Sequence, residues 1–255
     1  MTIRLLILNC NITESMTGAI DAVARAATGP DTEVTTIAPE WGVVSAEGYL
    51  DSFIAATAMM ERLASWRGEV HAVVLAGFGE HGREAAREML EAPVVDITDA
   101  AAHVALMVAP TYGVVTTLSR SVMQIRDSLR NAGVGDRCAA VTAVDVPVLE
   151  LDPENEEVRA RIIERGRYLI DRGAEAIVLG CAGFAGRAAS FELDLGVPVI
   201  DPVSAGVACA ESLVRLGLRT SKVSTYATPR PKDRPGWGAR RLGEVPVGNG
   251  AGASS

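Results

Sequence analysis

The chain has 255 residues, 48% of them apolar and 22% charged, enough for one or two domains with ample core. Acidic residues (32) outnumber basic ones (24), the net charge is −8, and no basic patch of the kind that binds nucleic acid is visible. No apolar run approaches the roughly 20 residues of a membrane helix. The opening MTIRLLILNC reads as buried strand rather than signal peptide, since Asn9, Asn11 and Glu14 follow at once.

In chain order, apolar β-branched runs alternate with helical patterns. Strands are predicted near residues 3–9, 33–38, 71–76, 93–97, 113–117, 138–144, 176–180 and 198–201. Helices are predicted near 14–27, 47–66, 82–90, 98–108, 119–132, 154–172, 184–193 and 203–216. Continuous runs such as AVVLAG and AIVLGC suit strands buried on both faces, and the strand–helix alternation implies a parallel sheet. About four strands fall in each half. The expected fold is therefore α/β: two pseudo-symmetric lobes, each a roughly four-stranded parallel sheet flanked by helices, with the active site in the interlobe cleft. Residues 1–98 plus 206–225 would form lobe 1 and residues 99–205 lobe 2. The Pro-, Gly-, Arg- and Ser-rich residues 226–255 would form a flexible C-terminal tail, or an arm anchored on a partner subunit by Trp237.

An internal repeat supports the two lobes. HAVVLAGFGEHGREAAREMLEAPVVDITDAAAHVA (71–105) and EAIVLGCAGFAGRAASFELDLGVPVIDPVSAGVACA (175–210) each read as strand, Gly-rich turn, helix, Pro-Val-h-Asp strand and Ala-rich helix, where h is apolar. Gly77 of the first copy stands opposite Cys181 of the second. A site between two such copies can present one reactive group from each side; here one side brings a thiol and the other brings none.

Ligands of open parallel sheets bind outside the carboxyl ends of the strands. Four such ends stand out: Asn9-Cys10-Asn11, Gly77-Phe78-Gly79-Glu80-His81, Thr116-Thr117 and Cys181-Ala182-Gly183. Cys181 is the leading catalytic candidate. Small neighbours let a ligand approach, and the amides of a following helix are expected to lower its pKa. The same amides would hold a carboxylate or an enolate oxygen. Thr116 and Thr117 offer paired hydroxyls, and Asn9 and Asn11 flank the first turn, where Asn11 could instead cap the next helix. Cys10, Glu80 and His81 are the candidates for a second base. His103 reads as a packed core histidine, His71 as a strand-start residue, and Cys138 and Cys209 as core. Without CxxC spacing the four cysteines argue against zinc or disulfides and for a reducing cytoplasm. No phosphate-loop motif, dinucleotide fingerprint or metal cluster is present, so the expected chemistry uses no metal and no cofactor.

At these residues the chain resembles the aspartate/glutamate racemase superfamily, and within it the hydantoin racemase branch, over about residues 3–226. LLILNCNITESMT resembles that branch's opening strand and Asn-Pro-Asn-Thr turn. PEWGVVSAEGYLD resembles its Gly-Pro-x-Ser-x-Glu-Gly segment, and AEAIVLGCAGFAG with LGVPVIDPVSAGV its second cysteine motif. The resemblance implies a racemase or epimerase in which two cysteines face each other across the substrate. One takes the α-proton and the other returns a proton to the opposite face. The substrate would be a small molecule (hydantoin, amino-acid-like or carboxylate), and the protein a homo-oligomer with neither nucleic-acid nor membrane partners.

Two departures stand against that pattern: Gly77, in AGFGEHG where the branch has ACFGDPG, and Cys10 in place of the Pro of Asn-Pro-Asn. The first keeps two alternatives open. One is a one-base lyase resembling the arylmalonate decarboxylases, with Cys181 as sole proton donor. The other is a binding protein that has lost turnover. On the racemase reading, Gly77→Cys is expected to raise racemisation.

Overall fold

The computed structural model describes residues 2–152 and 155–234. The first lobe runs β1 (Ile3–Asn9), α1 (Glu14–Ala27), β2 (Thr32–Ile37), α2 (Tyr49–Ser65), β3 (Ala72–Ala76), α3 (Arg83–Met89), β4 (Val94–Asp96) and α4 (Ile97–Val108). The second runs β5 (Tyr112–Thr116), α5 (Val122–Asn131), β6 (Cys138–Ala143), α6 (Glu156–Ile170), β7 (Ile177–Leu179), α7 (Ala188–Leu195), β8 (Val199–Ile200) and α8 (Pro202–Arg215). The sheets have the orders β2-β1-β3-β4 and β6-β5-β7-β8, and every pairing is parallel. The second order is the first advanced by four strands, which is the pseudo-symmetry the repeat implies.

The continuous apolar runs have a direct cause in packing. In β1, Leu5 and Ile7 face a central core shared by both sheets, whereas Leu6 and Leu8 face an outer core under α2. In β7, Val178 faces the centre and Ile177 and Leu179 face an outer core with Phe184 and Phe191. With both faces covered, no position along these strands favours a polar residue. The repeated Pro-Val-h-Asp also has a local reason. Asp96 caps α4 by accepting from the Thr98 and Asp99 amides, and Asp201 caps α8 by accepting from Ser204.

The Ala-rich helices α4 and α8 pack against each other, and α8 also packs on α1, β1, β3 and β4 of the first sheet. Ala100, Ala101, Ala102 and Ala105 of α4 and Ala205 and Ala210 of α8 are buried in the central core. Short side chains let the helices approach closely, and Gly206 marks the tightest point. A Cβ there would lie 2.9 Å from Ile97 Cγ2 and 3.0 Å from Val74 Cγ1.

Three expectations need correction or limits. The residues after Cys181 form a single 3-10 turn, Ala182–Phe184, and α7 begins only at Ala188. His103 is not packed in the core: its side chain is 49% exposed and its Nδ1 lies 2.9 Å from Asp99. Most of the expected tail, Trp237 included, lies outside the described residues. Its first residue is tied down, since the Tyr226 hydroxyl donates to Glu84, and the segment before it is held by Thr220 N–H donating to Glu91 O. Among the described residues no helix is long and apolar enough to cross a membrane.

Gly206→Leu should overpack the α4–α8 seam and cost about 1–3 kcal/mol, read as a lowered urea midpoint at unchanged slope. An unchanged midpoint would show that the seam is looser than described.

Candidate active site

The four strand ends that the sequence singles out converge on one crevice of about 40 Å³, lined by residues from both lobes. Cys10, Asn11, Gly77, Phe78 and His81 line it from the first lobe. Thr116, Thr117, Cys181 and Ala182 line it from the second. Met16, Ala46, Ser121 and Val148 also line it, and no sequence signal marked them.

Asn9, Gly79, Glu80 and Gly183 are not in the lining; they brace it. Asn9 is fully buried, and its Nδ2 donates to Asn11 Oδ1 (3.1 Å) and Thr17 Oγ1 (2.9 Å), so it holds Asn11 from behind. Asn11 does not cap α1. Its Oδ1 accepts from Thr13 N–H, while its Nδ2 finds only the sulfur of Met16 at 3.5 Å. Gly79 is pinned by its N–H to Thr98 Oγ1 (2.8 Å). Glu80 turns away from the crevice, its Oε1 accepting from the Gly82 and Arg83 amides at the start of α3. Gly183 N–H points at Cys181 Sγ (3.3 Å), and Thr116 Oγ1 donates to Gly180 O (2.9 Å) across the crevice floor.

The electrostatics reverse one expectation. Burial pushes the Cys181 thiol up to about 11; the Gly183 amide opposes this and the Glu47 carboxylate adds to it. One amide of a short turn does not offset desolvation, because a thiolate loses far more hydration than one hydrogen bond returns. Burial, and then the neighbouring Cys181, push Cys10 up to about 12, with its own amide and Asn11 opposing. Both thiols are neutral at pH 7. Glu47 also ties the lobes together across the crevice, its Oε1 accepting from Ser45 Oγ (3.1 Å) and from the Val148 amide (3.0 Å).

Gly77 is the decisive position. A Cβ built there would overlap the His81 ring and would lie 2.7 Å from Cys10 Cβ and 3.0 Å from Cys10 Sγ. The volume left by the missing side chain is thus filled by its neighbours.

Comparison with known proteins identifies the family. The family model described as Asp/Glu/Hydantoin racemase matches residues 5–210. The chain belongs to the Asp/Glu/hydantoin racemase family. It is 36% identical to the hydantoin racemase of Pseudomonas sp. (strain NS671) over 232 residues, covering 90% of this chain and 93% of that one. It is 39% identical to the hydantoin racemase of Rhizobium meliloti over 229 residues, covering 89% and 95%. Among solved structures, the allantoin racemase of Pseudomonas fluorescens superposes with a TM-score of 0.89 at 46% identity, covering 92% of this chain and all of that one. The enzyme is a racemase, an isomerase, and the lyase and binding-protein alternatives are not favoured.

Gly77 and Cys10, the two positions where the resemblance read from the sequence breaks, are joined here by His81. All three positions meet at the Cβ volume of residue 77.

This packing reverses the simple expectation for Gly77→Cys. Alone, that change should cost about 1–3 kcal/mol by overpacking and give no gain in racemisation. In a Cys10→Ala/His81→Ala background the cost should fall, giving a coupling of about 0.5–3 kcal/mol in denaturant unfolding. Equal costs in both backgrounds would mean that the three side chains do not share the volume.

Proposed function

We propose that this enzyme racemises small 5-substituted hydantoins, allantoin (5-ureidohydantoin) among them, without a cofactor, by proton transfer on both faces of C5. Cys181 serves one face. Cys10 serves the other, as a thiol displaced from position 77 to the adjoining strand end of the same sheet. The observation that carries this reading is the 3.0 Å between Cys10 Sγ and the absent Cβ of residue 77. A second sulfur thus stands beside the position that Gly77 leaves without a thiol, which supports Cys10 in that role.

The chemistry follows from the balance of protons. Cys181, as thiolate, takes the C5 proton, and the electron pair moves onto the adjacent carbonyl oxygen. The Cys10 thiol then gives its proton to the opposite face of C5, and the carbonyl re-forms. The reverse reaction uses the same two groups with exchanged roles. The developing enolate oxygen needs donors. The Thr117 hydroxyl and the Asn11 amide, which is committed only to the Met16 sulfur, are the side chains placed to supply them. The remaining proposals are a homo-oligomer in a reducing cytoplasm. Four free cysteines and the exposed apolar pair Leu50 and Phe53 on α2 support them.

Because burial raises both thiols, the reactive thiolate is scarce at neutral pH. The logarithm of kcat/KM should therefore rise with a slope near one from about pH 7 toward the Cys181 value of about 11. Proton NMR in D₂O with either enantiomer of a 5-substituted hydantoin should show loss of the C5 proton together with loss of optical rotation. Cys181→Ser should lower both by about 10²- to 10⁴-fold. Exchange without loss of rotation, or a pH profile flat above neutrality, would contradict two-thiol racemisation.

A further inference from the structure

His81 is held by residues of both lobes. Its Nδ1 lies 2.9 Å from Ser52 Oγ, on α2. Gln124 Nε2, on α5 of the other lobe, donates to the same Ser52 Oγ at 2.7 Å and to Gly79 O at 3.3 Å. Ser52 Oγ also lies 3.2 Å from Glu80 O. All three side chains are buried, so every donor and acceptor in the group needs a partner.

The hydrogen bonds converging on Ser52 Oγ favour one arrangement. The Gly79 carbonyl fixes the Gln124 amide with its nitrogen toward Ser52, because the flipped amide would set two oxygens against each other. Ser52 Oγ thus accepts from Gln124, and it has one proton to give. If His81 carries its proton on Nδ1, that N–H donates to Ser52 and the Ser52 proton goes to Glu80 O. The contacts around Ser52, with Gln124, His81 Nδ1 and the Glu80 carbonyl, are then all satisfied. If Nδ1 is bare, Ser52 must turn its proton to the ring and the Glu80 carbonyl loses its donor. The Cδ2 edge of the ring, which carries Nε2, abuts Gly77 and the crevice. Burial is the main influence on the ring's charge and keeps it neutral, against the Glu80 carboxylate and the Phe78 carbonyl, which face it and favour protonation.

We infer that Ser52 and Gln124 are positioning residues that fix His81 as the Nδ1–H tautomer, leaving its Nε2 as a lone-pair acceptor on the Gly77 wall that takes an N–H of the substrate ring. The inference rests on the ring substrate of the preceding section. It deepens that reading by making His81 a specificity residue. A neutral acceptor rewards a ring with an N–H beside its acidic carbon and disfavours a carboxylate at the same place. It also gives the imidazole at 81 a purpose besides filling space, since a thiol at this wall would accept less well from a ring N–H.

The test has two arms. With ¹⁵N-labelled histidine, long-range ¹H–¹⁵N correlation resolves the tautomers of the three histidines, and loss of one set in His81→Gln assigns the site. The wild type should show His81 as Nδ1–H, and Ser52→Ala or Gln124→Leu should mix or invert it. An Nε2–H tautomer in the wild type, directed at the Phe78 carbonyl, would overturn the proposal. This arm needs no substrate, so it stands even if hydantoins are not turned over, a result that would sink the functional reading instead. In the second arm, kcat/KM is compared for a 5-substituted hydantoin and its ring N-methyl analogues. The wild type should prefer one free N–H by roughly tenfold, through KM, and Ser52→Ala should erase that preference. An unchanged ratio would overturn the acceptor role.

Discussion

The Cβ volume above residue 77 is taken by two neighbouring side chains, Cys10 and His81, which leave no room for a third. A glycine at 77 is therefore a requirement of this packing rather than a loss. Any side chain there would displace a buried thiol and a buried imidazole that is itself bonded into both lobes. The rest of the site follows from that contact. One thiol comes from each lobe, a neutral ring stands beside one of them, and Glu47 spans the crevice from the Ser45 hydroxyl to the Val148 amide.

The fold makes this contact possible by bringing equivalent strand ends face to face. Both sheets are parallel and share one strand order, so the ends of β1, β3, β5 and β7 open onto a single crevice. The sheets can approach because the helices between them are built from alanine, with Gly206 at the closest point. The same close packing dries the site. Desolvation then governs both thiols and favours their protonated forms, which suits Cys10 as the proposed proton donor. The cost is a low thiolate fraction at Cys181, which alkaline pH relieves.

Much of the architecture was legible in the sequence because both-face burial writes itself as unbroken apolar runs, and because the repeat shows the lobes directly. That Cys181, Thr116 and Thr117 line one crevice was legible from their place at strand ends. What stayed hidden depends on contacts between distant residues. Ser52 looks like any serine of a helix; its one signal is that it shares a stripe with the buried Ala55, Met59 and Leu63, where a polar group needs a buried partner. Glu80 reads as a base beside the crevice, but its carboxylate is bound by two amides of its own turn. The sign of the Cys181 shift was misread because a single 3-10 turn, not a helix, follows it. Cys10 and His81 lie 71 positions apart in the chain, and only the folded structure shows that they meet at residue 77.

The central claim is that two different groups serve the two faces of the substrate carbon. The direct measurement is C5-proton exchange in D₂O by Cys10→Ala, followed separately for each enantiomer of a 5-substituted hydantoin. If Cys10 serves the second face, racemisation is lost while Cys181 still exchanges the proton of one enantiomer with retained configuration. Equal exchange of both enantiomers, with racemisation intact, would show that Cys10 is not the second acid/base.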